Sequence, residues 1–302
     1  MTSYLEVEFP GERAVLRGRL YRHDGPRPAV VMAHGFSATA IGMVADRYAE
    51  VLHGAGLAVL LYDHEGFGLS DGKPRQVINR WLQCRGYQHA LSYAADHPCV
   101  DRQRLALWGD SLSASIAITV AAFDVRVSAL VVQVPACGSV LGNGDPDGAA
   151  YAALRDFYTS ADVTDSWVLG EPQPVVSEDQ AAAPSLLEPI TAYRWFCEYG
   201  LRPGSTWRNT ATPATLATPV PFSTGIMARR LTCPSLWVIA AEDEMPGAET
   251  PIATHCFDLA GGQKEKLIVE GGHFGLLYDT SPLFGEVSQA QASFLARTFS
   301  IR

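Results

Sequence analysis

The six cysteines of this 302-residue chain do not form a metal-binding or disulfide pattern. No two of them show the CxxC spacing that is typical of zinc sites and redox-active pairs. Disulfide frameworks are the usual solution in small secreted domains, which this chain is too long to resemble. The sequence therefore predicts no metal site and no cofactor, and we expect most of these thiols to be small buried apolar side chains.

Basic charge and long apolar runs are also scarce. The chain has 23 Lys and Arg against 32 Asp and Glu, a net charge of −9, whereas nucleic-acid binding requires a concentrated basic surface. Apolar runs such as residues 114–123 fall short of the ~18 to 20 residues of a membrane-spanning helix. The N-terminus lacks the basic and apolar segments of a secretory signal. We expect a cytoplasmic protein that binds a small-molecule substrate. The sequence leaves open whether the protein forms a homodimer.

What is present is the composition and patterning of an α/β protein. Hydrophobic residues make up 47% and charged residues 18%, as in globular chains. Segments 4–9 and 14–21 alternate polar and apolar residues, which predicts an antiparallel hairpin. Short continuous apolar runs follow, which are typical of strands buried on both faces of a parallel sheet. These runs are residues 29–35, 58–66, 105–111, 129–135, 235–243 and 266–273.

Segments of helical period separate these runs, including residues 43–56, with Gly56 as the C-cap, and residues 74–98. The alternation predicts βαβ units with right-handed crossovers. Residues 136–230 interrupt it, since they contain at least two amphipathic helical patterns and no obvious strand. We therefore predict a core of residues 1–135 and 231–302, and a helical cap of residues 136–230 over the carboxyl edge of the sheet.

Ser111 stands between an apolar strand pattern and a helical pattern, in the pentapeptide Gly-Asp-Ser-Leu-Ser. A nucleophilic serine on such a strand-to-helix turn needs small neighbours, because strand and helix pass close together. Gly109 and Ser113 satisfy that need. Ligands bind outside the carboxyl ends of parallel strands, where Ser111 is expected to lie. The context predicts a nucleophile, and Asp110 is expected to be a solvated or hydrogen-bonded neighbour.

A serine nucleophile requires a base and an orienting carboxylate. His273 follows the last predicted strand among glycines, and Asp243 follows the strand before it. The chain order serine, aspartate, histidine is the order of hydrolases with this kind of fold. There are two alternatives. His273 could be an ordinary loop histidine, and Glu242 or Glu244 could be the carboxylate in place of Asp243.

An oxyanion hole needs two backbone N–H groups aimed at the developing charge. We expect one from Leu112, which follows the nucleophile, and one from Phe36, in the loop after an early strand. His34 is expected to brace this loop rather than to act as a base. The glycines of the segment 65–72 fit a turn better than a phosphate cradle, because no helix with the required glycine spacing follows.

These segments together resemble the α/β-hydrolase superfamily over nearly the whole chain, in its order and at its usual separations. The similarity is greatest to bacterial esterases akin to the fermentation-respiration switch protein, X-prolyl-peptidase-like hydrolases and fungal polyketide transferases. The resemblance implies an α/β-hydrolase fold, with a mostly parallel doubly wound sheet, an N-terminal antiparallel hairpin and a helical cap. Departures are Ala114 and Ser115 where these families tend to have glycines, and Glu65 in place of a loop arginine.

We therefore expect a serine hydrolase that forms an acyl-enzyme from an apolar ester or thioester, free or carried by a carrier protein. One alternative is an acyltransferase or cyclase of secondary metabolism that uses the same triad. The second is a non-catalytic ligand-binding protein on a hydrolase scaffold. Candidate substrate-binding residues of the cap are Tyr158, Trp195 and Trp207.

Overall fold

The computed structural model describes residues 4–141, 145–160 and 167–301. Eight of its strands form one sheet in the order β1-β2-β4-β3-β6-β7-β10-β11. These strands are β1 (Tyr4–Pro10), β2 (Val15–Tyr21), β3 (Arg27–Ala33), β4 (Ala58–Tyr62), β6 (Val100–Asp110), β7 (Val127–Gln133), β10 (Ser235–Ala240) and β11 (Lys264–Val269). The first two form the predicted antiparallel hairpin at one edge, and the pairs from β4 to β11 are all parallel.

Helices cover both faces of this sheet, which confirms the predicted fold class. On one face α1 (Ala45–Gly54) packs against α8 (Pro282–Thr298). On the other, α2 (Arg80–Asp96) packs on α3 (Ser111–Phe123), followed by α6 (Thr224–Ala228) and α7 (Thr250–Leu259). The central strands are buried on both sides, as their continuous apolar sequences require. Each fully buried Val, Leu or Ile side chain there contributes roughly 1.5–3 kcal/mol to folding.

Local signals explain several element ends. Gly56 follows α1 with a φ of +92°, and its N–H donates to His53 O, so the predicted glycine cap is confirmed. Asn79 accepts hydrogen bonds from the N–H groups of Trp81 and Leu82, which starts α2 at Arg80. The helix therefore begins six residues later than the pattern over 74–98 indicates.

The described part of the segment 136–230, called the cap below, contains three helices, α4 (Ala149–Thr159), α5 (Ile190–Gly200) and the short α6, but the prediction that it has no strand is wrong. A second sheet joins β5 (Val77–Ile78), β9 (Thr212–Leu216) and β8 (Trp167–Leu169) in that order. These strands have two to five residues, too few for a visible alternation. Their pairing also depends on β5, a segment that lies outside the cap in sequence.

The last strand also differs from its prediction as a strand buried on both faces. Only Val269 of β11 is buried, because β11 is the edge strand of the large sheet. The run from Leu267 to Val269 is nevertheless apolar enough to have indicated a strand. β11 ends at Val269, and the chain continues directly into the segment that contains His273.

Candidate active site

Ser111 lies at the junction of β6 and α3, at the carboxyl end of a central strand. Its φ is +50°, a conformation that costs roughly 1–3 kcal/mol for a residue with a side chain and that recurs at functional sites. A Cβ at Gly109 would approach Ser113 O to 2.4 Å, so only glycine permits strand and helix to pass this closely. The strand-turn-helix context predicted for Ser111 is therefore present.

Hydrogen bonds within the core hold this turn. The Ser113 hydroxyl donates to Ala33 O at 3.0 Å and lies 2.9 Å from the Asp110 N–H, which donates to it. Asp110 Oδ1 is 3.1 Å from the same hydroxyl. The small residue at 113 is thus both a packing requirement and a hydrogen-bonding link from β6 to β3.

Asp110 is buried beside Ser111 and faces the same cavity. Burial raises the pKa of its carboxyl to about 6, although hydrogen bonds from Ser113 and the Gly35 N–H and the proximity of His273 oppose this rise. The expectation of a hydrogen-bonded neighbour is correct, and that of a solvated one is not.

His273 and Asp243 form a buried pair. His273 Nδ1 lies 3.0 Å from Asp243 Oδ1 and 2.9 Å from Oδ2. Asp243 also accepts a hydrogen bond from the Met245 N–H at 3.0 Å. His273 is 2% exposed, and its ring contacts Phe274 edge-on with centroids 5.1 Å apart. Asp243, rather than either neighbouring glutamate, is thus the carboxylate that contacts the imidazole.

Ser111 and His273 line one cavity of about 30 Å³, room for roughly two water molecules. The fold thus brings both residues to the same cavity, although they are 162 positions apart in sequence. The remaining walls are largely apolar. They include Phe36, Leu187, Phe196, Met245, Phe274 and Leu277.

The loop after β3 contributes Phe36 to this cavity, and His34 braces the loop from behind. His34 Nδ1 lies 3.0 Å from Gly35 O, and its Nε2 lies 3.7 Å from Asp63 Oδ1. Burial lowers the pKa of His34, while the Asp63 carboxylate opposes that decrease. This agrees with a bracing role. Leu112 directly follows Ser111 as the second residue of α3, so its N–H lacks a partner within the helix.

Of the three cap residues predicted to bind substrate, only Trp195 lines the cavity. Tyr158 packs instead against Phe123 and Trp81, with ring centroids 5.0 and 5.7 Å away, because its side of α4 faces α2 and α3. Trp207 stacks on the outer side of Phe196 at 5.2 Å. Tyr158 and Trp207 were plausible from composition alone, but burial in the cap assigns them to packing.

Glu244 is a residue whose importance the sequence did not reveal, since it was considered only as a rival of Asp243. Its Oε2 accepts the His273 N–H at 2.8 Å. A Cβ at Gly272 would lie 2.2 Å from that oxygen, so a side chain at 272 would displace the Glu244 carboxylate from this position. The paired glycines before His273 were the available signal that another group approaches this backbone closely.

Glu65, where the resemblance leads one to expect arginine, lies away from the cavity. Its carboxylate accepts hydrogen bonds from Arg13 N and Nε, both at 3.2 Å. Arg13 in turn stacks over the Trp167 ring of β8 at 4.7 Å. Glu65 therefore connects the first hairpin to the cap instead of contacting substrate.

Among residues 4–141, 145–160 and 167–301, no cluster of three or more His, Cys, Asp or Glu side chains is arranged to hold a metal ion. Across the same ranges, none of the helices combines the length and the apolar character needed to cross a membrane.

Comparison with known proteins supports the assignment of the fold. Residues 24–169, just under half of the chain, match the family described as serine aminopeptidase, S33. Thiohydrolase aneE of Aspergillus aculeatus is 40% identical over 134 residues, 44% of this chain and 42% of that protein. Polyketide transferase af380 of Aspergillus fumigatus is 33% identical over 152 residues, 50% and 52% of the two chains. The chain thus matches about half the length of these curated relatives.

Solved structures match over the whole chain. The α/β-hydrolase GrgF from Penicillium sp. sh18 superimposes with a TM-score of 0.74 and 24% identity, covering 99% of this chain and 100% of that one. The mostly parallel sheet, the strand-to-helix turn at Ser111 and these matches all indicate the same fold. The chain therefore has the α/β-hydrolase fold, and about half of it is similar in sequence to hydrolases and acyltransferases with this fold.

Proposed function

We propose that this protein is a serine hydrolase that cleaves an ester or thioester through an acyl-enzyme. Ser111 is the nucleophile, His273 the general base and acid, and Asp243 the carboxylate that orients and stabilises the imidazolium. The observation that carries the proposal is the buried His273–Asp243 pair, at 2.9 Å, facing the same small cavity as a serine with a φ of +50°.

In the first half of the reaction, His273 removes the Ser111 proton while Oγ bonds to the substrate carbonyl carbon. The N–H groups of Phe36 and Leu112 stabilise the oxyanion, and each such donor contributes about 3–4 kcal/mol in enzymes of this kind. The tetrahedral intermediate then expels the alcohol or thiol, which takes the proton from His273. Water, deprotonated by His273, releases the acid in the second half and restores the serine.

The walls of the cavity support an apolar acyl group. Eight side chains that line it are apolar or aromatic, so they favour a hydrocarbon or aromatic substrate over a charged one. The observed volume of about 30 Å³ is far smaller than the ~300–1,000 Å³ of sites filled by drug-sized ligands. The thiohydrolase among the relatives favours a thioester, with the acyl group either free or on a carrier.

Acyl transfer to an acceptor other than water is the second candidate. It is favoured by the similarity to a polyketide transferase and by the small, largely apolar cavity, because transfer competes with hydrolysis when water is excluded. The acceptor would be an alcohol, an amine or a hydroxyl of the same acyl chain. The protein groups and the acyl-enzyme are the same in both reactions.

The test compares wild type with Ser111→Ala on aryl esters, lactones and acyl thioesters, with and without added alcohols and amines. We expect stoichiometric fluorophosphonate labelling of wild type and a loss of turnover of at least ~1,000-fold in the variant. Ser115→Ala is the matched control, because the Ser115 hydroxyl is buried and bonded to Leu112 O within α3. Free acid as the product identifies a hydrolase, and an acylated acceptor identifies a transferase. Turnover that survives Ser111→Ala contradicts both.

A further inference from the structure

One face of α5 contacts Glu244 at its first turn and the segment that follows His273 at its next two turns. Thr191, Trp195 and Tyr199 are four residues apart and so lie on the same face. Arg202, two residues beyond the end of α5, continues this row. This face contacts Glu244 and residues from the chain between His273 and Asp279. We call His273 to Asp279 the histidine segment.

The first contact lies at the start of α5, where Thr191 bonds to Glu244 and Glu244 in turn bonds to His273. The Thr191 hydroxyl donates to Glu244 Oε1 at 2.5 Å, while Glu244 Oε2 accepts the backbone N–H of His273 at 2.8 Å. Burial disfavours the charged carboxylate, but these two hydrogen bonds outweigh it and lower the pKa of Glu244. The carboxylate is therefore ionised at neutral pH and holds the His273 backbone from the cap side.

In the middle of the helix, Trp195 makes two contacts to the segment. Its indole N–H donates to Leu277 O at 2.8 Å, and its ring lies 5.5 Å from that of Phe274. The side chain is 2% exposed, so the indole cannot exchange this bond for water without moving. Phe274 is the residue next to His273 and packs against its ring.

At the end of the helix, Tyr199 and Asp279 bond to each other twice. The Tyr199 hydroxyl donates to Asp279 Oδ1 at 2.6 Å and accepts the Asp279 backbone N–H at 2.7 Å. Arg202 lies 3.4 Å from the same carboxylate and 3.6 Å above the Tyr199 ring. Burial opposes ionisation of Asp279, but the Tyr199 hydroxyl and Arg202 hold its pKa below the ordinary value.

We propose that this face of α5 positions His273, so that the cap helix belongs to the catalytic scaffold. The inference rests on the proposed function of His273 as the base. Thr191, Glu244 and Tyr199 are positioning residues, since they act on the backbone that carries the imidazole. Misplacing a reacting group by about 1 Å can cost about 100-fold in rate, so loosening this segment should lower kcat.

Tyr199→Phe and Thr191→Val test the proposal, because each removes one hydroxyl that does not face the cavity. For both we expect kcat, and the rate of fluorophosphonate labelling, to fall about 5- to 30-fold, with KM changed less than 2-fold. Thr191→Ser keeps the hydroxyl and should restore most of the rate. Tyr158→Phe is the matched control: among the described residues the Tyr158 hydroxyl is buried without a hydrogen-bond partner, so kcat should stay within 2-fold.

Normalising kcat to the labelled fraction separates positioning from loss of folded protein. Wild-type kcat per labelled site in both Tyr199→Phe and Thr191→Val would overturn the inference, even if their melting temperatures fell. A Thr191→Ser variant as slow as Thr191→Val would also overturn it. These outcomes leave the proposed function intact, which fails only if Ser111→Ala retains turnover.

Discussion

The serine elbow and the histidine segment meet at one cavity but are supported by different parts of the molecule. Ser111 is held by the sheet itself, through the bond from Ser113 to Ala33 O and the close passage at Gly109. The histidine segment contacts α5 of the cap through Trp195 and Tyr199, and it contacts the core through Asp243, through Tyr48 and Arg47 of α1, and through α8. The nucleophile geometry is thus a property of the core, whereas the geometry of the base depends on core and cap together.

The largest effect on kcat should come from a change at Asp243, the carboxylate that contacts the His273 imidazole. We expect Asp243→Asn to lower kcat by about 10³- to 10⁴-fold while the protein stays folded, because the amide favours the wrong imidazole tautomer. Glu242→Gln, an exposed neighbour, is the control and should retain activity. Steady-state kinetics on the best ester substrate measures both. A decrease below 10-fold in Asp243→Asn would assign the orienting role elsewhere.

The strand-to-helix turn at Ser111 should tolerate added volume poorly. Gly109→Ala places a methyl group 2.4 Å from Ser113 O, and we expect the free energy of unfolding to fall by roughly 2–3 kcal/mol. Gly285→Ala is the matched change, since Gly285 lies exposed in α8 with no atom within 4 Å of the new methyl group. It should raise stability by up to about 1 kcal/mol. Chemical denaturation that shows equal effects would contradict the close-passage argument.

Asp110 provides a pH test of the elbow. Its pKa rises from 3.8 to about 6 on folding, so the folded state holds its proton more tightly. The cost of ionising it is therefore absent below about pH 4, grows as the pH rises towards 6, and reaches about 3 kcal/mol above that. Asp110→Asn should accordingly gain stability relative to wild type across this window.

Asp46 is the comparison for that test, because burial raises its pKa to about 6 as well, but it lies in α1 away from the cavity. Asp46→Asn should shift stability over the same pH range and leave the pH profile of kcat unchanged. Asp110→Asn should change both. Parallel unfolding curves for wild type and Asp110→Asn from pH 4 to pH 7 would show that Asp110 is not the titrating group.

The smallest effect should come from the core side of the histidine segment. Tyr48→Phe removes the hydroxyl that donates to Leu276 O at 2.8 Å, which leaves a buried carbonyl unpaired and costs about 1–2 kcal/mol of stability. We expect kcat to fall less than in Tyr199→Phe, because the Tyr48 hydroxyl makes one hydrogen bond to the segment whereas the Tyr199 hydroxyl makes two, to the side chain and the backbone of Asp279. A larger decrease in kcat than with Tyr199→Phe would assign the positioning of His273 mainly to the core.

Local patterns carried most of the correct predictions. The small residues around Ser111, the order of the predicted strands and the glycines before His273 are each visible within about ten residues. The strands β8 and β9 were missed because they are short and pair with each other and with β5 rather than showing a period of their own. Tyr158 was misassigned because an aromatic residue on an amphipathic helix looks the same whether it faces a cavity or another helix.

By itself, the sequence determined which elements form the sheet and that a serine stands on a strand-to-helix turn, because backbone conformation follows from local side-chain size and apolar period. Only the tertiary structure decided which carboxylate meets His273, which cap side chain faces the cavity and that α5 bonds to the histidine segment. Those contacts join residues 30 to 82 positions apart in the chain, and packing rather than spacing determines them.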